Sequence, residues 1–137
     1  MKKVGLVILA LCVFCRCFAQ NNSEEWADRI LKIFIEEDYS AFGKIFAANV
    51  HLSLPAYHKQ CSAPQATRIL KDFFADKKMV SFEILHQKET PSGAIIVTAL
   101  FETLDSKYDI FCLFKNEENK MCLTKLTIKK KILERIE

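Results

Sequence analysis

Apolar residues recur at helical spacing between positions 62 and 74, and this pattern predicts an amphipathic helix in the middle of the chain. Ser62 occupies the position of an N-cap, Gln65 follows three residues later as its capping-box partner, and Pro64 falls in the first turn. The apolar face of the helix consists of Ala66, Ile69, Leu70, Phe73 and Phe74. A short strand, Val50–Leu54, and a loop that starts at Pro55 are predicted to precede this helix.

Two more helices are predicted before this stretch. Asn22 and Ser23 open the first helix, because both residue types are favoured as N-caps. Its apolar face consists of Ala27, Ile30, Leu31, Phe34 and Ile35. Apolar spacing restarts at Tyr39 and continues to Phe46, which predicts a shorter second helix that Asn49 ends.

Four strands are predicted in the second half of the chain, at 79–87, 94–103, 108–115 and 120–129; the first alternates apolar and polar residues, and the second is rich in β-branched residues. In the first of these strands, alternation places Phe82, Ile84 and His86 on one face. Helices that come early and strands that come late indicate an α+β domain, with the helices packed on one face of an antiparallel sheet.

The strand at 94–103 is apolar on both of its faces. One face consists of Ile96 and Leu100, and the other of Ile95, Val97 and Phe101. An antiparallel sheet with one face in water alternates apolar and polar residues instead. Because three helices can cover only one side, we expect the other, outer face to contact a partner, most simply a second copy in a homodimer.

The first 19 residues have the pattern of a signal peptide. Lys2 and Lys3 precede the apolar run Val4–Phe14, and Ala19 supplies the small residue before the expected cleavage site. The apolar run is too short to form a stable membrane span. We therefore expect export to the periplasm or the extracellular space after cleavage near Ala19.

Removal of this segment changes the charge balance. The first 19 residues carry three positive charges, which equal the net charge of +3 of the whole chain. The remainder is therefore formally neutral, which argues against nucleic acid as a partner. We expect a single domain over residues 20–128 and a charged C-terminal tail over residues 129–137.

Cys61, Cys112 and Cys122 lie beyond the expected cleavage site, and an exported protein enters an oxidising compartment. Cys112 and Cys122 fall on two strands that we expect to form a hairpin and to share a face. If the two residues are directly opposite, a disulfide closes, and if they are offset by two residues, both remain buried thiols. Cys61 precedes the central helix, where we expect a loop thiol without a role.

Several segments follow one another at the spacing of a known family. These segments are Val50–Pro55, Ala63–Ala66, Ile69–Phe74, Ser81–Gln87 and Leu126–Ile128. Over residues 23–128 the chain resembles an uncharacterised family of small exported bacterial proteins with the nuclear-transport-factor-2-like fold. The resemblance implies a cone, in which a strongly bent sheet wraps around the helices and the open end holds a ligand. It also implies a dimer formed through the outer face of the sheet.

Relatives with this fold include isomerases and dehydratases that place an Asp or His base beside a Tyr inside the cone. Proton abstraction needs such a base within hydrogen-bond reach of the substrate, and a donor for the developing oxyanion. The resemblance therefore makes His86, Asp109, Tyr57 and Tyr108 candidate catalytic residues. The alternatives are a structural histidine at the sheet edge for His86 and a loop anchor for Tyr57.

Motifs for metals and cofactors are absent from the sequence. His51 and His58 flank Pro55 but lack a third ligand at a recognisable spacing. The sequence also contains no Gly-rich phosphate loop and no nucleophile elbow. We expect neither a metal nor a cofactor.

Two functions are compatible with these patterns. In the first, a non-catalytic exported domain binds a protein partner or a small apolar ligand, the latter in a pocket of Phe73, Phe82 and Ile84. In the second, the cone is an enzyme pocket for proton transfer. An open cavity that holds His86 or Asp109 near a tyrosine favours the enzyme, whereas a cavity filled by phenylalanine side chains favours the binding domain. A third reading is a peptide-binding module that uses an exposed strand edge.

Overall fold

The computed structural model describes residues 22–132, and the predicted signal peptide (1–19) and the last five residues of the predicted tail lie outside this range. The helical segments are α1 (Asn22–Ile35), a 3-10 turn (Tyr39–Ala41), α2 (Phe42–Ile45) and α3 (Ala63–Ala75). The strands are β1 (Phe46–Leu54), β2 (Tyr57–Ser62), β3 (Ser81–Glu89), β4 (Ile95–Glu102), β5 (Lys107–Glu117) and β6 (Lys120–Lys130).

The strands form one sheet in the order β2-β1-β6-β5-β4-β3. Helix α1 packs against β3 and β4, and α3 packs against β1 and β2, so that the helices cover one face of the sheet. The predicted α+β class with helices on one face is therefore confirmed. The sheet is not wholly antiparallel, however, because the pair of β1 and β6 runs parallel.

Helix α3 begins as its sequence predicts. The backbone N–H of Gln65 donates to Ser62 Oγ at 3.3 Å, and the N–H of Ser62 donates to Gln65 Oε1 at 3.4 Å, which completes the capping box. Ala66, Leu70 and Phe74 are buried against the sheet. The helix therefore has a fixed start and a well-defined inner face.

Helix α1 shows the expected amphipathic pattern with one exception. Ala27, Ile30 and Phe34 are buried, but Ile35 is 57% exposed, contrary to the prediction. Each helical residue is rotated by about 100° from the one before, so Ile35 points away from the face that Phe34 buries. Ile33, on the other flank of the same stripe, is buried in its place.

Two assignments between residues 39 and 62 were wrong. Helix α2 ends at Ile45, so the segment from Phe46 to Asn49 belongs to β1 rather than to the predicted second helix. A short apolar segment is compatible with either a helix or a strand. Phe46 lies in a strand because it pairs with Leu123 of β6. The predicted loop after Pro55 contains the edge strand β2, which pairs with β1 in a tight hairpin.

The predicted boundary between domain and tail was also placed too early. Strand β6 extends to Lys130, so that Lys129 pairs with Asp109, and Lys130 with Tyr108. The N–H of Lys131 then donates to the carbonyl of Lys107 at 2.7 Å. Two of the three consecutive lysines are therefore strand residues and not part of a solvated tail.

Candidate functional site

The space between the helices and the sheet is filled by aromatic side chains centred on Phe34. The ring of Phe34 stacks on Phe82 with centroids 4.2 Å apart, and it contacts Phe74 edge-on at 5.4 Å. Phe101 and Tyr39 lie at 5.8 Å and 5.6 Å from the same ring. The interior of the cone is therefore a packed core with a tight set of aromatic contacts.

The three residues predicted to line a ligand pocket contribute to this packing instead. Phe82 and Ile84 are partly buried side chains packed against the core. Phe73 lies at the end of α3, where the ammonium of Lys77 sits 3.9 Å above its ring and donates to the Phe73 carbonyl at 2.8 Å. Phe73 also contacts the ring of Tyr108, so that these side chains close this end of the core.

His86 lies on the outer face of the sheet and not in the cone. Ile84 pairs with Ala99, which is buried, but the next paired residue is His86, opposite Thr98. A β-bulge at Leu85 therefore interrupts the alternation and shifts His86 to the face opposite Ile84. The expectation that His86 shares a face with Phe82 and Ile84 was wrong, and its side chain is exposed at the sheet edge.

The other catalytic candidates are also separated. Tyr108 is buried on the inner face, whereas Asp109, the next residue of β5, is exposed on the outer face. Tyr57 is on β2 at the far edge of the sheet, with its hydroxyl 3.8 Å from Cys61 Sγ. Desolvation and this contact raise the pKa of Tyr57. The structure brings neither His86 nor Asp109 together with a tyrosine inside a cavity.

The cysteines do not have the predicted register. Cys112 pairs with Leu126 and faces the core, whereas Cys122 pairs with Lys115 on the outer face. A second bulge, at Thr124, causes this change of face, and Thr124 Oγ1 donates to the carbonyl of Leu113 at 3.2 Å. All three cysteines in the described part of the chain are buried free thiols, so no bond joins Cys112 to Cys122. Burial raises the pKa of the Cys112 thiol to about 12.

The outer face of the sheet carries apolar side chains that the helices do not cover. These side chains, here called the outer apolar patch, are Leu85, Ile96, Leu100, Phe111 and Leu113. Four of them are partly exposed, and the bulge on β3 leaves Leu85 42% exposed. A groove with a volume of about 420 Å³ lies on this face, and its lining includes Leu85 and Phe111 of the patch together with Thr98 and Thr127.

Charged residues surround the outer apolar patch. On the outer face, the strand register places Lys88 and Lys125 in one row, and Glu83, Asp109 and Lys129 in another row further along the strands. These five side chains are exposed. The face thus has an apolar centre and a charged rim, which is the usual composition of a protein interface.

A polar contact on the edge hairpin was not predicted from the sequence. Ser53 Oγ lies 2.5 Å from His58 Nδ1, across the pair of β1 and β2. Because the sequence pattern predicts a loop where β2 lies, the pairing of Ser53 with His58 could not be predicted. The contact is a cross-strand hydrogen bond at the end of the sheet, and it joins the buried side chain of Ser53 to the exposed side chain of His58.

The two strands at the ends of the sheet have features that discourage pairing with an added strand. In β3 the bulge at Leu85 interrupts the regular edge, and Glu83 and Lys88 place charges along it. In β2, Lys59 pairs with Leu52, so this edge strand carries a charged side chain on the inner face of the sheet. Bulges and inward-facing charges are typical protections of an edge strand, so the peptide-binding reading finds little support.

Metal-ligand clusters and membrane-spanning helices are absent from residues 22–132. In this part of the chain, His, Cys, Asp and Glu side chains nowhere form a group of three or more that is suited to a metal ion. None of its helices combines the length and the apolar character that a bilayer crossing requires.

The fold defines the class of protein. The structure resembles a protein from Silicibacter pomeroyi DSS-3, described as an NTF-2 like protein of unknown function, with 12% identity, a TM-score of 0.58, and coverage of 82% of this chain and 100% of that one. It also resembles a steroid delta-isomerase from Pseudomonas aeruginosa, with 11% identity, a TM-score of 0.60, and coverage of 83% and 82%. The chain therefore has the nuclear-transport-factor-2-like fold.

The family is more specific than the fold. Residues 27–129 match the model of DUF4783, a domain of unknown function, and the chain belongs to this family. A DUF4783 family protein from Bacteroides uniformis ATCC 8492 has a similar structure, with 20% identity, a TM-score of 0.69, and coverage of 76% of this chain and 95% of that one. A second, from Bacteroides ovatus ATCC 8483, shows 19% identity, a TM-score of 0.63 and coverage of 69% and 86%. No curated protein sequence matches the chain.

Proposed function

We propose that this protein is an exported, non-catalytic domain that binds a protein partner through the outer face of its sheet. The observation that carries the proposal is the outer apolar patch around Phe111, which lies on the face that the helices leave uncovered. Burial of apolar surface contributes roughly 25 cal/mol per Å². A patch of five apolar side chains with a charged rim is suited to a protein surface.

The aromatic core argues for a protein partner and against a small apolar ligand in the cone. Phe34, Phe74 and Phe101 are almost completely buried and in mutual contact, and their rings fill the space that a ligand would need. Opening such a core would expose apolar surface and lose dispersion contacts. The outer face needs no such rearrangement.

The same packing argues against the enzyme as an alternative. Proton transfer needs a base and an oxyanion donor that reach one substrate atom. His86 and Asp109 are exposed on the outer face, whereas Tyr108 is buried on the inner face. Likeness to a steroid delta-isomerase at 11% identity extends to the fold and carries no catalytic residue to this chain.

Export is proposed from the N-terminal pattern of basic residues, apolar run and small residue. The expected mature protein starts at Gln20 and is recovered from outside the cytoplasm. Intact-mass analysis of the protein from fractionated host cells tests this step, and a full-length mass in the cytoplasmic fraction contradicts it.

Site-specific photo-crosslinking in the host cell tests the binding face. A photoreactive residue at Leu100 is expected to crosslink to a protein, which mass spectrometry identifies, and Phe111→Asp is expected to abolish the product. The same residue at Leu104, an 89% exposed position in the turn between β4 and β5, is the matched control. Equal crosslinking from both positions, or none from Leu100, contradicts the proposed binding face.

A further inference from the structure

Three exposed apolar side chains lie at one end of the sheet. Leu104, in the turn between β4 and β5, is 89% exposed, and Ile132, just after β6, is 85% exposed. Val80, just before β3, is 56% exposed. Single apolar residues on a protein surface are ordinary. These three need an explanation because they share one end of the sheet and because lysines accompany them.

Backbone hydrogen bonds hold the three residues at this end. The N–H of Val80 donates to the carbonyl of Glu102, the last residue of β4, at 2.7 Å. The N–H of Lys131, the neighbour of Ile132, donates to the first residue of β5 at 2.7 Å. Leu104 lies in the turn that joins β4 to β5. The three side chains therefore emerge from the neighbouring ends of β3 to β6.

The turn presents Leu104 on a fixed backbone. The N–H of Thr103 donates to the carbonyl of Ser106 at 2.9 Å, and the N–H of Ser106 donates to Thr103 Oγ1 at 3.1 Å. Thr103 Oγ1 donates to Asp105 Oδ1 at 3.0 Å. Hydrogen bonds with Thr103 and Ser106, followed by the nearby charge of Lys130, lower the pKa of the Asp105 carboxyl. Because the turn is already ordered, little conformational freedom is lost when Leu104 is buried against another surface.

Lysines surround these apolar side chains. The surface that they form together is here called the lysine-rich end. Its five lysines are Lys77, Lys78, Lys107, Lys130 and Lys131.

The lysine-rich end also contains three carboxylates, and each has a lysine beside it. The pairs are Asp76 with Lys77 at 3.3 Å, Glu102 with Lys107 at 3.7 Å, and Asp105 with Lys130. Five lysines and three carboxylates leave two positive charges. Lys78 and Lys131 form no ion pair with any residue between positions 22 and 132, and both are exposed. The excess charge therefore lies next to Val80 and Ile132.

We infer that the lysine-rich end docks the protein onto the surface of a membrane that contains anionic phospholipids. Val80, Leu104 and Ile132 enter the boundary between headgroups and acyl chains, and Lys78 and Lys131 contact the lipid phosphates. Binding of this kind combines burial of apolar surface with electrostatic attraction to anionic lipids. The lysine-rich end is separate from the outer apolar patch, so the inference does not depend on the binding face proposed above.

A depression of about 480 Å³ beside Leu104 gives a lipid headgroup space to approach. Lys78, Lys130 and Ser106 contribute to its lining, together with the ion pair of Asp76 and Lys77 and the carboxylate of Asp105. The hydroxyl and the lysine ammonium groups can donate hydrogen bonds to phosphate oxygens. An acyl chain needs no pocket of its own, because Leu104 itself projects beyond the turn.

The type of cation favours a membrane over a phosphorylated protein. Recognition of a phosphate group on a peptide typically uses arginine, whose planar guanidinium binds two oxygens in a fixed geometry. All five cations of the lysine-rich end are lysines. Lysine is a hydrated point charge on a flexible stem, which suits headgroups that have no fixed orientation. The exposed apolar residues between these lysines complete the combination that a lipid surface requires.

Vesicle flotation of the purified mature protein tests the inference. The predicted signal peptide is left out because an apolar segment would itself bind lipid. We expect the protein to float with vesicles of phosphatidylethanolamine and phosphatidylglycerol, and to stay behind with vesicles of phosphatidylcholine, which have no net charge. Added salt is expected to release it, because salt screens the attraction between exposed charges. A protein that does not float with the anionic vesicles would overturn the inference.

Two variants test the two parts of the surface. Leu104→Ser and Lys131→Glu are each expected to lower the partition coefficient onto anionic vesicles about tenfold. The matched control is Lys120→Glu, at an exposed position that begins β6. It lies on the order of 30 Å from Lys131 along the strand. This separation exceeds the Debye length of about 8 Å at physiological salt, so the control is expected to bind as the wild type does. Equal weakening by both lysine variants would show that only net charge matters and would overturn the docking surface.

Leu104→Trp reports directly on insertion. The only tryptophan of the natural chain is Trp26, whose ring packs on Phe114 with centroids 4.9 Å apart. Addition of anionic vesicles is expected to shift the emission of the variant to shorter wavelength and to leave that of the wild type unchanged. Flotation without this shift would mean that another surface binds lipid. Crosslinking from Leu100 is measured separately, so failure of either proposal leaves the other standing.

Discussion

Phe34 shows how one side chain determines what the fold can hold. It contacts aromatic rings on α2, α3, β3 and β4, and it is completely buried. Its position in α1 follows from helical spacing, but its partners come from elements far apart in the sequence. The burial of Phe34 was therefore predictable, whereas its role in filling the cone was not.

Cys112 gives a prediction for alkaline pH. Its thiol is fully buried, and burial raises its pKa from 9.0 to about 12. In the unfolded chain the thiol loses its proton near pH 9, while the folded protein keeps it protonated, so stability falls as pH rises above about 9. The expected loss for this one group is on the order of 1.4 kcal/mol per pH unit between these two pKa values.

Urea unfolding of the wild type and of Cys112→Val at pH 7 and pH 10 measures this effect. Valine fills the apolar site without a titrating proton, so the variant is expected to lose less stability between the two pH values than the wild type. The difference between the two losses isolates the thiol from all other alkaline effects. Equal losses in both proteins would refute the assignment.

Among the elements, α3 has the clearest local signals. Its capping box satisfies two N–H groups that would otherwise lack partners, and Thr67 Oγ1 donates to the Ala63 carbonyl at 2.8 Å within the first turn. Ser62→Ala is expected to lower the free energy of unfolding by about 0.5–2 kcal/mol, and Ser62→Asp by much less.

The control for this prediction is Ser81→Ala, at an exposed serine at the start of β3. Chemical denaturation of the three variants gives the comparison. A loss for Ser62→Asp as large as the loss for Ser62→Ala would mean that the hydroxyl, and not its role as an N-cap acceptor, is what matters.

The elements also show where the sequence pattern carried information and where it did not. The start of α3 depends on residues within four positions of one another, and for that reason it was predicted correctly. Strand β2 is an exposed edge with little apolar alternation, so its pattern predicts a loop and not a strand. The bulges at Leu85 and Thr124 arise from pairing between strands, so no local pattern placed His86 or Cys122 on the outer face.

The two faces of the sheet differ in what covers them. The inner face and the helices form one core, and its apolar side chains include Val97 and Phe101 of β4. The outer face was predicted to meet a partner because Ile96 and Leu100 on the same strand are apolar as well, and both are only partly exposed. The catalytic candidates were inferred from relatives, and the geometry did not assemble them.

A homodimer through the outer face, which the resemblance to the family implies, would link the stability of the molecule to its concentration. Because only the folded chain offers the outer apolar patch, association stabilises the folded state by mass action. Over a hundredfold range of concentration above the dissociation constant, the stabilisation is expected to increase by about 2.7 kcal/mol per dimer, which moves the urea midpoint of the wild type upward. Phe111→Asp places a charge at the centre of the patch, so its midpoint should be the same at every concentration. A wild-type midpoint that does not change with concentration would show that the outer apolar patch contributes no association energy to the folded protein.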